Sequence, residues 1–505
     1  MRIAIIYPPI TYNNEYPLLT QNRQFKYTNS RKVRIYPLVI AYLATMLKND
    51  NNEVLYLDGI NLRLSMKNFE KRLTSFKPDF TILETKAPII KKHWQYINEL
   101  KKKINTKIIL VGDHIIFYPE ESLLKSEADY TIAGGDYDFI IRDLIRYYKN
   151  ETDKMPSGVY YKKDGEIKNS GIAKFYNLNE LPIIDRDLTQ WNIYGEAYLY
   201  HPVAYILSGR GCGGSNSFKN FKSNKKEFKK YETKMAGLCT FCIWQYSLWK
   251  CSARLMSPSK VVDEIENLIK NYKIKEIFDE NESGAIWSYE WLKDFYEEMK
   301  KRNLLGKITI SSNARADSLN DKTLKLLKKL NYRLLKIGVE SGNNKTLKLL
   351  KKDETIEEIV EGIKRAKRYG LIAMLTTMVG YPWENEEDTK RTYKVTKEIM
   401  LYKTHFGDSL QASIIIPYPG TPLYREAIKN KWLIVKPDDY EKFDMAHQIL
   451  KTDIDTEKWC KKIWKIHLHP LFLLKSFLSI RKLSDIKLAI GGLISLFGHL
   501  KDYKE

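Results

Sequence analysis

The chain has 505 residues, enough for two or three separate cores, because a single hydrophobic core stops growing at about 250–300 residues. A composition of 43% hydrophobic and 12% aromatic residues is that of a globular protein, and only five cysteines argue against a disulfide framework. Lysine and arginine exceed aspartate and glutamate by 84 to 62, a net charge of +22 that favours anionic partners, although a lysine-rich proteome gives the same excess.

Strand-like and helix-like segments alternate over residues 1–150. The chain opens directly into the apolar strand RIAIIYPP and not into a secretory signal, so we expect a cytoplasmic protein. Further strands are predicted at EVLYLDG, DFTILET, KIILVGD and DYTIAGG, and helices at PLVIAYLATMLKND and IIKKHWQYINELKKKI. This order predicts an α/β unit with a doubly wound, Rossmann-like parallel sheet. The glycine-rich dinucleotide fingerprint is absent, which argues against a nicotinamide site.

Residues 151–200 are predicted to be a linker, with a polar hairpin at KKDGEIKNSG. A second alternating series occupies residues 201–430, with strands at VAYILSGRG, KEIFDEN, KITISSNAR, RLLKIGVESG, IAMLTTMVG and LQASIIIPYP. Six strand–helix units predict a partial (β/α)6 barrel of the TIM type, in which chemistry takes place at the carboxyl ends of the strands.

The C-terminal region, residues 431–505, is predicted to be helical. Its apolar runs are interrupted by basic residues and are too short to span a membrane, for which about 18–20 apolar residues are needed. It is expected either to pack on the barrel as a cap or to lie peripherally on a membrane surface with its basic residues toward the headgroups.

Four of the five cysteines lie within forty positions of one another, which points to metal or redox chemistry in a cytosolic enzyme. Three of them, Cys212, Cys239 and Cys242, follow the first barrel strand. Thiolates select zinc or iron–sulfur clusters, and structural zinc sites usually contribute two close cysteine pairs, whereas this chain has one. A four-iron cluster held by three cysteines leaves one iron open to another ligand.

Eight segments occur in the order and rough spacing of one family: GRGC, CTFCIW, SPSKVVDEIENLI, KEIFDEN, SNARADSL, LLKIGVESGN, MVGYPWENEED and PYPGTPLY. The chain resembles the cobalamin-binding branch of the radical S-adenosylmethionine (radical SAM) enzymes. The segment VGDHIIFYPEESLLKSEADYTIAGGDYD looks like that branch's cobalamin-binding domain, and LNELPIIDRDL looks like its interdomain linker. The resemblance covers nearly the whole chain.

The resemblance implies that Cys212, Cys239 and Cys242 hold a [4Fe-4S] cluster whose open iron binds S-adenosylmethionine. Reductive cleavage of that cofactor would then give a 5'-deoxyadenosyl radical, with an electron donor such as flavodoxin or ferredoxin. The residues that the family pattern assigns to the S-adenosylmethionine site are Phe241, Asp279, Arg315, Glu340 and Gly380.

Two features depart from the family pattern. The first is an insertion at residues 213–238, twenty-six residues where the family has three, with seven lysines against two glutamates. It is either a basic lid that attracts an anionic substrate or a solvated loop, and it leaves Cys251 as an alternative third ligand. The second is the absence of the DxHxxG motif whose histidine binds cobalt, since His114 in GDHIIF lacks its spacing, although members of the branch often bind cobalamin without it.

The function that the resemblance implies is cobalamin-dependent methylation of an unactivated carbon, and the basic insertion and tail favour a lipid or other anionic substrate over nucleic acid. Radical cyclisation, oxidation or rearrangement are the alternatives within the same branch. A methylthiotransferase acting on RNA is disfavoured because it needs three further cysteines in its N-terminal domain and none precedes Cys212. A non-catalytic binding protein, whose insertion has broken the cluster loop, is the alternative outside enzymes.

Overall fold

A computed structural model describes residues 1–19, 25–28, 33–214, 231–234 and 238–480. Most of the predicted insertion and residues 481–505 therefore lie outside the described residues. Two sheets follow one another along the chain and dominate the fold, the first mostly parallel and the second wholly parallel.

The N-terminal sheet has seven strands in the order β7-β6-β5-β4-β3-β1-β2. Its strands are β1 (Arg2–Tyr7), β2 (Glu53–Asp58), β3 (Phe80–Glu84), β4 (Lys107–Val111), β5 (Tyr130–Ile132), β6 (Val159–Lys163) and β7 (Glu166–Asn169). The accompanying helices are α1 (Leu38–Asn49), α2 (Met66–Phe76), α3 (Ile90–Lys103), α4 (Asp113–Phe117), α5 (Pro119–Lys125) and α6 (Tyr137–Tyr148). Strands β1 to β5 are parallel, as the alternating apolar runs predict for a doubly wound sheet.

The sheet extends beyond residue 150, which corrects part of the predicted linker. The hairpin of β6 and β7 is present as predicted, but it pairs antiparallel with β5, with Ile132 opposite Val159. An unpaired β5 would leave a row of backbone amides and carbonyls without partners, and the hairpin supplies those partners. Residues 159–169 are therefore part of the first sheet, not of a linker.

The second sheet has six parallel strands in sequential order, which confirms the predicted partial barrel. They are β8 (Val203–Ile206), β9 (Glu276–Asp279), β10 (Thr309–Ala314), β11 (Tyr332–Glu340), β12 (Ile372–Val379) and β13 (Ser409–Ile414). The helices of this region are α7 (Ile243–Tyr246), α8 (Pro258–Tyr272), α9 (Tyr289–Lys301), α10 (Asp321–Lys329), α11 (Asn344–Leu349), α12 (Ile356–Arg368), α13 (Glu386–Leu401), α14 (Pro422–Lys429), α15 (Thr456–Trp464) and α16 (Pro470–Leu478).

Helix α12 shows how sequence fixes a barrel helix. Thr355 accepts a hydrogen bond from the Glu358 amide while the Glu358 side chain accepts from the Thr355 amide, so a capping box starts the helix. Ile356, Ile359 and Ile363 recur at helical spacing and are buried against the sheet. Basic residues fill the last turn, where their positive charges interact favourably with the negative end of the helix dipole.

A buried group of charged residues joins the two sheets. Arg210, just after β8, donates to Asp136 at 2.7 Å and also pairs with Asp138, and both aspartates lie in the loop and helix that follow β5. Arg254 donates to Asp136 at 2.9 Å. In the same region Gly135 is required, because a Cβ there would lie 1.5 Å from the carbonyl oxygen of Leu248. The N-terminal domain thus contacts the segment that leads directly into the cysteines.

The C-terminal region follows the barrel with helices α15 and α16, in line with the predicted helical tail. Trp459, Ile463 and Phe472 are buried against the barrel, whereas Phe477 and Leu478 of α16 are exposed. Among the described helices, none combines the length and the apolar character needed to cross a bilayer.

Candidate active site

The barrel encloses a cavity of about 700 Å³. Cys212, Cys239 and Cys242 line it where the first strand leads into the cysteine segment, and side chains of α16 line it elsewhere. The described N-terminal domain contributes Leu18, Lys26, Val33 and Ile35 to its wall. The structure thus brings the three predicted cluster thiols to a single cavity.

Backbone hydrogen bonds hold the Cys212 segment in place. The Cys212 amide donates to Gln245 Oε1 at 3.0 Å, and the preceding Gly211 amide donates to Glu282 Oε2 at 2.7 Å. The Gly213 amide donates to Ser283 Oγ at 3.2 Å. Glu282 and Ser283 follow the end of β9, so the second barrel strand positions the first thiol.

The pair Cys239 and Cys242 sits on a tight turn. The Cys242 amide donates to the Cys239 carbonyl at 3.0 Å, which closes the turn. The Thr240 amide donates to the Leu350 carbonyl at 2.9 Å, and the Thr240 carbonyl accepts from the Leu423 amide at 3.0 Å. Anchored on both sides, the turn presents both of its thiols to the cavity.

Cys251 does not line the cavity. It is half-buried beyond α7, and its amide donates to the Gln245 carbonyl at 2.7 Å. Burial raises the pKa of its thiol. The structure therefore groups Cys212, not Cys251, with the close cysteine pair.

Burial dominates the electrostatics of the Cys239 thiol. It raises the pKa of Cys239 to about 12, with smaller lowering contributions from Lys352 and Arg315 and raising contributions from Cys212 and Cys242. A thiolate at this position therefore needs a counter-charge, which a bound metal centre provides.

Two buried cations form an ion-pair network beside the thiols. The Arg315 guanidinium donates to the Lys352 carbonyl at 2.8 Å and lies 3.3 Å from Glu354. The Lys352 ammonium lies 3.4 Å from Glu354 and 3.6 Å from Glu340. Burial tends to lower the pKa of Lys352, but Glu354 and Glu340 outweigh it and the net shift is upward. Lys352 also lines the cavity, although it was not identified as a site residue from the sequence.

Glu340 adopts an unusual backbone conformation at the end of β11. Its φ is 64°, in the left-handed region that costs a non-glycine residue free energy and often marks a functional site. Its carboxylate folds back over Gly338, where a Cβ would lie 2.0 Å from Glu340 Oε1. Gly338 thus makes room for the carboxylate that Lys352 pairs with.

The other predicted site residues divide into those that line the cavity and those that do not. Phe241 and Arg315 line the cavity, as Glu340 does. Asp279 does not, because its buried carboxylate accepts hydrogen bonds from the Ser208 amide at 2.9 Å and the Ser208 hydroxyl at 2.6 Å. Glu280, the next residue, lines the cavity instead. Gly380 lies off the cavity wall, where a Cβ would meet Thr456 at 2.8 Å.

Within the described ranges, no three histidine, cysteine, aspartate or glutamate side chains converge as the ligands of a single metal ion would. A four-iron cluster is larger than one ion and holds its thiolates further apart around it. Three thiols on one cavity wall, with buried cations beside them, match the donor set of a cluster held by three cysteines.

Comparison with known proteins bears on this geometry. The Radical SAM superfamily model matches residues 236–395, which include the Cys239–Cys242 turn, Arg315, Glu340 and Lys352. The central part of the barrel thus matches the radical SAM superfamily. The chain is 25% identical over 476 residues to the uncharacterized methyltransferase PH0819 of Pyrococcus horikoshii, covering 91% of this chain and 94% of that protein. It is also 25% identical to the anaerobic magnesium-protoporphyrin IX monomethyl ester cyclase of Rubrivivax gelatinosus, covering 83% and 70%.

Solved structures share the two-domain architecture. The radical S-adenosylmethionine methyltransferase TsrM from Kitasatospora setae, with cobalamin and a [4Fe-4S] cluster bound, superposes with a TM-score of 0.67 at 13% identity, covering 100% of this chain and 99% of that one. OxsB, a cobalamin-dependent S-adenosylmethionine radical enzyme, gives a TM-score of 0.66 at 16% identity, covering 99% and 72%. The predicted fold is confirmed, and it is the fold of these two cobalamin-dependent enzymes.

Proposed function

We propose that the protein is a cobalamin-dependent radical SAM methyltransferase that methylates an unactivated carbon of an anionic, apolar substrate. The observation that supports this most directly is the convergence of Cys212, Cys239 and Cys242 on one cavity that also borders the N-terminal domain. When bound, the cluster supplies the electron that cleaves S-adenosylmethionine to a 5'-deoxyadenosyl radical, and cobalamin carries the methyl group. An external donor such as flavodoxin or ferredoxin would supply that electron.

The residues present fit a cluster and S-adenosylmethionine. Cys212, Cys239 and Cys242 would hold the cluster, and the open iron would face the cavity. Arg315 and Lys352 lie close enough to influence the pKa of Cys239. Their two positive charges balance thiolates and can hold the carboxylate of S-adenosylmethionine. Phe241, between the paired cysteines, offers an apolar surface to its adenine.

Cobalamin would occupy the main cavity and not only the space at the carboxyl ends of the N-terminal strands. A separate cavity at those ends, lined by Lys86, Asp113, His114 and Tyr418 among others, has only about 10 Å³. A corrin needs far more room, and the main cavity borders both domains. His114 lines that small cavity, not the main one, and its buried Nδ1 has no hydrogen-bond partner among the described residues.

The proposal is tested by following a labelled methyl group. Protein reconstituted anaerobically with iron, sulfide and hydroxocobalamin is reduced and given S-adenosylmethionine carrying a CD3 group. We expect mass spectrometry to detect both 5'-deoxyadenosine and CD3-labelled cobalamin. Cobalamin labelling distinguishes methyl transfer from the other radical reactions of this branch, which need no methyl carrier.

The remaining outcomes have distinct meanings. 5'-Deoxyadenosine without labelled cobalamin would favour radical cyclisation, oxidation or rearrangement. Failure to assemble any cluster would favour a non-catalytic binding protein. If protein with a full cluster and bound cobalamin forms neither product, that result would contradict the proposed methyl transfer.

Replacing Lys352 by methionine is expected to weaken S-adenosylmethionine binding by about tenfold or more, the effect of losing one charge-assisted hydrogen bond. The Lys352→Met variant keeps the length of the side chain but loses the charge that faces Glu340 and Glu354. Calorimetric titration of reconstituted protein measures the change. Lys348→Met, an exposed position on α11, is the matched control. Unchanged affinity with an intact cluster would show that Lys352 only balances Glu354.

A further inference from the structure

A lysine in the middle of the barrel lines the cavity wall, and the described part of the chain supplies no counter-ion for it. Lys336 lies on β11 and lines the cavity wall. Its neighbours in register are Asn313 on β10 and Met374 on β12, neither of which is acidic. Among the residues that the structure describes, no hydrogen bond or ion pair reaches the Lys336 side chain.

The other cations on this wall are paired. Arg315 and Lys352 share Glu354, at 3.3 Å and 3.4 Å. Lys336 is only partly exposed, and burying an ammonium group without a partner costs free energy. An anionic group that enters the cavity removes that cost, so the lysine favours an anionic ligand over a neutral one.

Lys336 lies deeper in the barrel than the ion pairs beside the thiols. Glu340 follows it by four residues on the same strand, which corresponds to roughly 13 Å at about 3.3 Å per residue. S-adenosylmethionine bound beside the thiols, Arg315 and Lys352 would therefore leave Lys336 to a second molecule.

The cavity around Lys336 is mainly apolar. Apolar side chains of the last two barrel strands and of α16 line it, and they include Met374, Met378, Ile414, Leu473 and Phe477. Phe477 is also exposed on the outer surface of α16, so an apolar wall continues from the interior to the surface. A ligand that satisfies both features has an anionic group and an apolar chain.

We propose that Lys336 binds the anionic group of the substrate, a carboxylate or a phosphate, while the apolar part of the substrate lies along Met374, Met378 and the side chains of α16. The assignment of this ligand as the substrate rests on the proposed function. The binding site itself does not, because it is defined by the cavity and by a lysine that no described residue pairs with.

The experiment measures binding, not turnover. Protein reconstituted with its cluster and hydroxocobalamin and saturated with S-adenosylmethionine is titrated anaerobically with decanoate, decyl phosphate and decanol, each below its critical micelle concentration. We expect at least one of the two anions to bind about tenfold more tightly than decanol, the effect of one charge-assisted hydrogen bond. The anion that shows the larger preference identifies the group.

Three variants decide whether Lys336 is responsible. Lys336→Met is expected to lose the preference for anions while keeping its affinity for decanol, and Lys336→Arg is expected to retain the preference. Lys325→Met, an exposed position on α10, is expected to change neither. Equal binding of all three probes to the unmodified protein would overturn the proposal, as would an anion preference that survives in Lys336→Met.

Two further outcomes distinguish this proposal from a role of Lys336 in S-adenosylmethionine binding and from the proposed methyl transfer. Lower affinity for S-adenosylmethionine itself in Lys336→Met would place the lysine in the cofactor site and would overturn the assignment. An anion preference that depends on Lys336 in a protein that forms no labelled cobalamin would leave the binding site standing and contradict only the methyl transfer.

Discussion

Replacing Cys239 by alanine is expected to reduce iron incorporation from about four atoms per chain to less than one, and 5'-deoxyadenosine formation to background. Cys239 lies on the anchored turn beside Arg315 and Lys352, and burial raises its pKa to about 12. Two remaining thiolates hold a four-iron cluster poorly, so the loss should be nearly complete. Iron analysis, the visible absorption spectrum and product detection measure it.

Cys251→Ala is the matched control for that variant. Cys251 lies close in sequence but does not line the cavity, so its replacement is expected to leave iron content and 5'-deoxyadenosine formation unchanged. Cys212→Ala should behave as Cys239→Ala does. If Cys251→Ala loses the cluster and Cys212→Ala retains it, then the twenty-six-residue insertion has moved the third ligand to Cys251.

The strands of both sheets could be predicted from the sequence because each is a short apolar run bounded by glycine, proline or polar residues. IAMLTTMVG, for example, predicts a strand, and β12 spans Ile372–Val379. That the β6–β7 hairpin belongs to the N-terminal sheet could not be predicted in the same way. Pairing with β5 is a contact between strands that are distant in sequence, and the local pattern of the hairpin is the same in a linker and at a sheet edge.

The site was predictable only where spacing identifies a residue. The cysteine turn CTFC is such a case, and its two thiols do line the cavity. In DEN the sequence favours Asp279, but successive residues at a strand end point in opposite directions, and Glu280 faces the cavity. Lys352 belongs to the run KLLKK, in which no local feature separates a buried lysine from exposed ones. Its role follows from Glu340 and Glu354, which only the fold brings near.

Replacing Arg210 by methionine is expected to lower the free energy of unfolding by about 3–5 kcal/mol, the cost of removing one partner of a buried ion pair. Arg210 links the N-terminal domain to the segment that carries Cys212, because it forms ion pairs with both Asp136 and Asp138. Without it Asp136 keeps Arg254, but Asp138 is left buried without a cation. Chemical denaturation at pH 7.5 measures the loss, and reconstitution should also give less cluster.

The pH dependence has a definite sign. Burial raises the pKa of Asp138 and Arg210 opposes that rise, so its removal should raise the pKa further. A carboxyl group with a raised pKa in the folded state is stabilised by protonation, and the folded variant therefore gains stability relative to the unfolded chain as the pH falls. The difference between variant and unmodified protein should shrink from pH 7.5 to pH 5.

Two further variants isolate the cause. Lys48→Met removes an exposed ion pair with Asp185 at 2.6 Å and is expected to cost less than about 1 kcal/mol. The double variant Arg210→Met, Asp138→Asn removes both charges and should recover part of the stability, because no uncompensated charge remains buried. If the double variant is no more stable than Arg210→Met alone, the loss comes from packing around Arg210. In that case the two sheets are joined by shape and not by charge, and the N-terminal domain would influence the cluster loop through contacts such as Gly135 against Leu248.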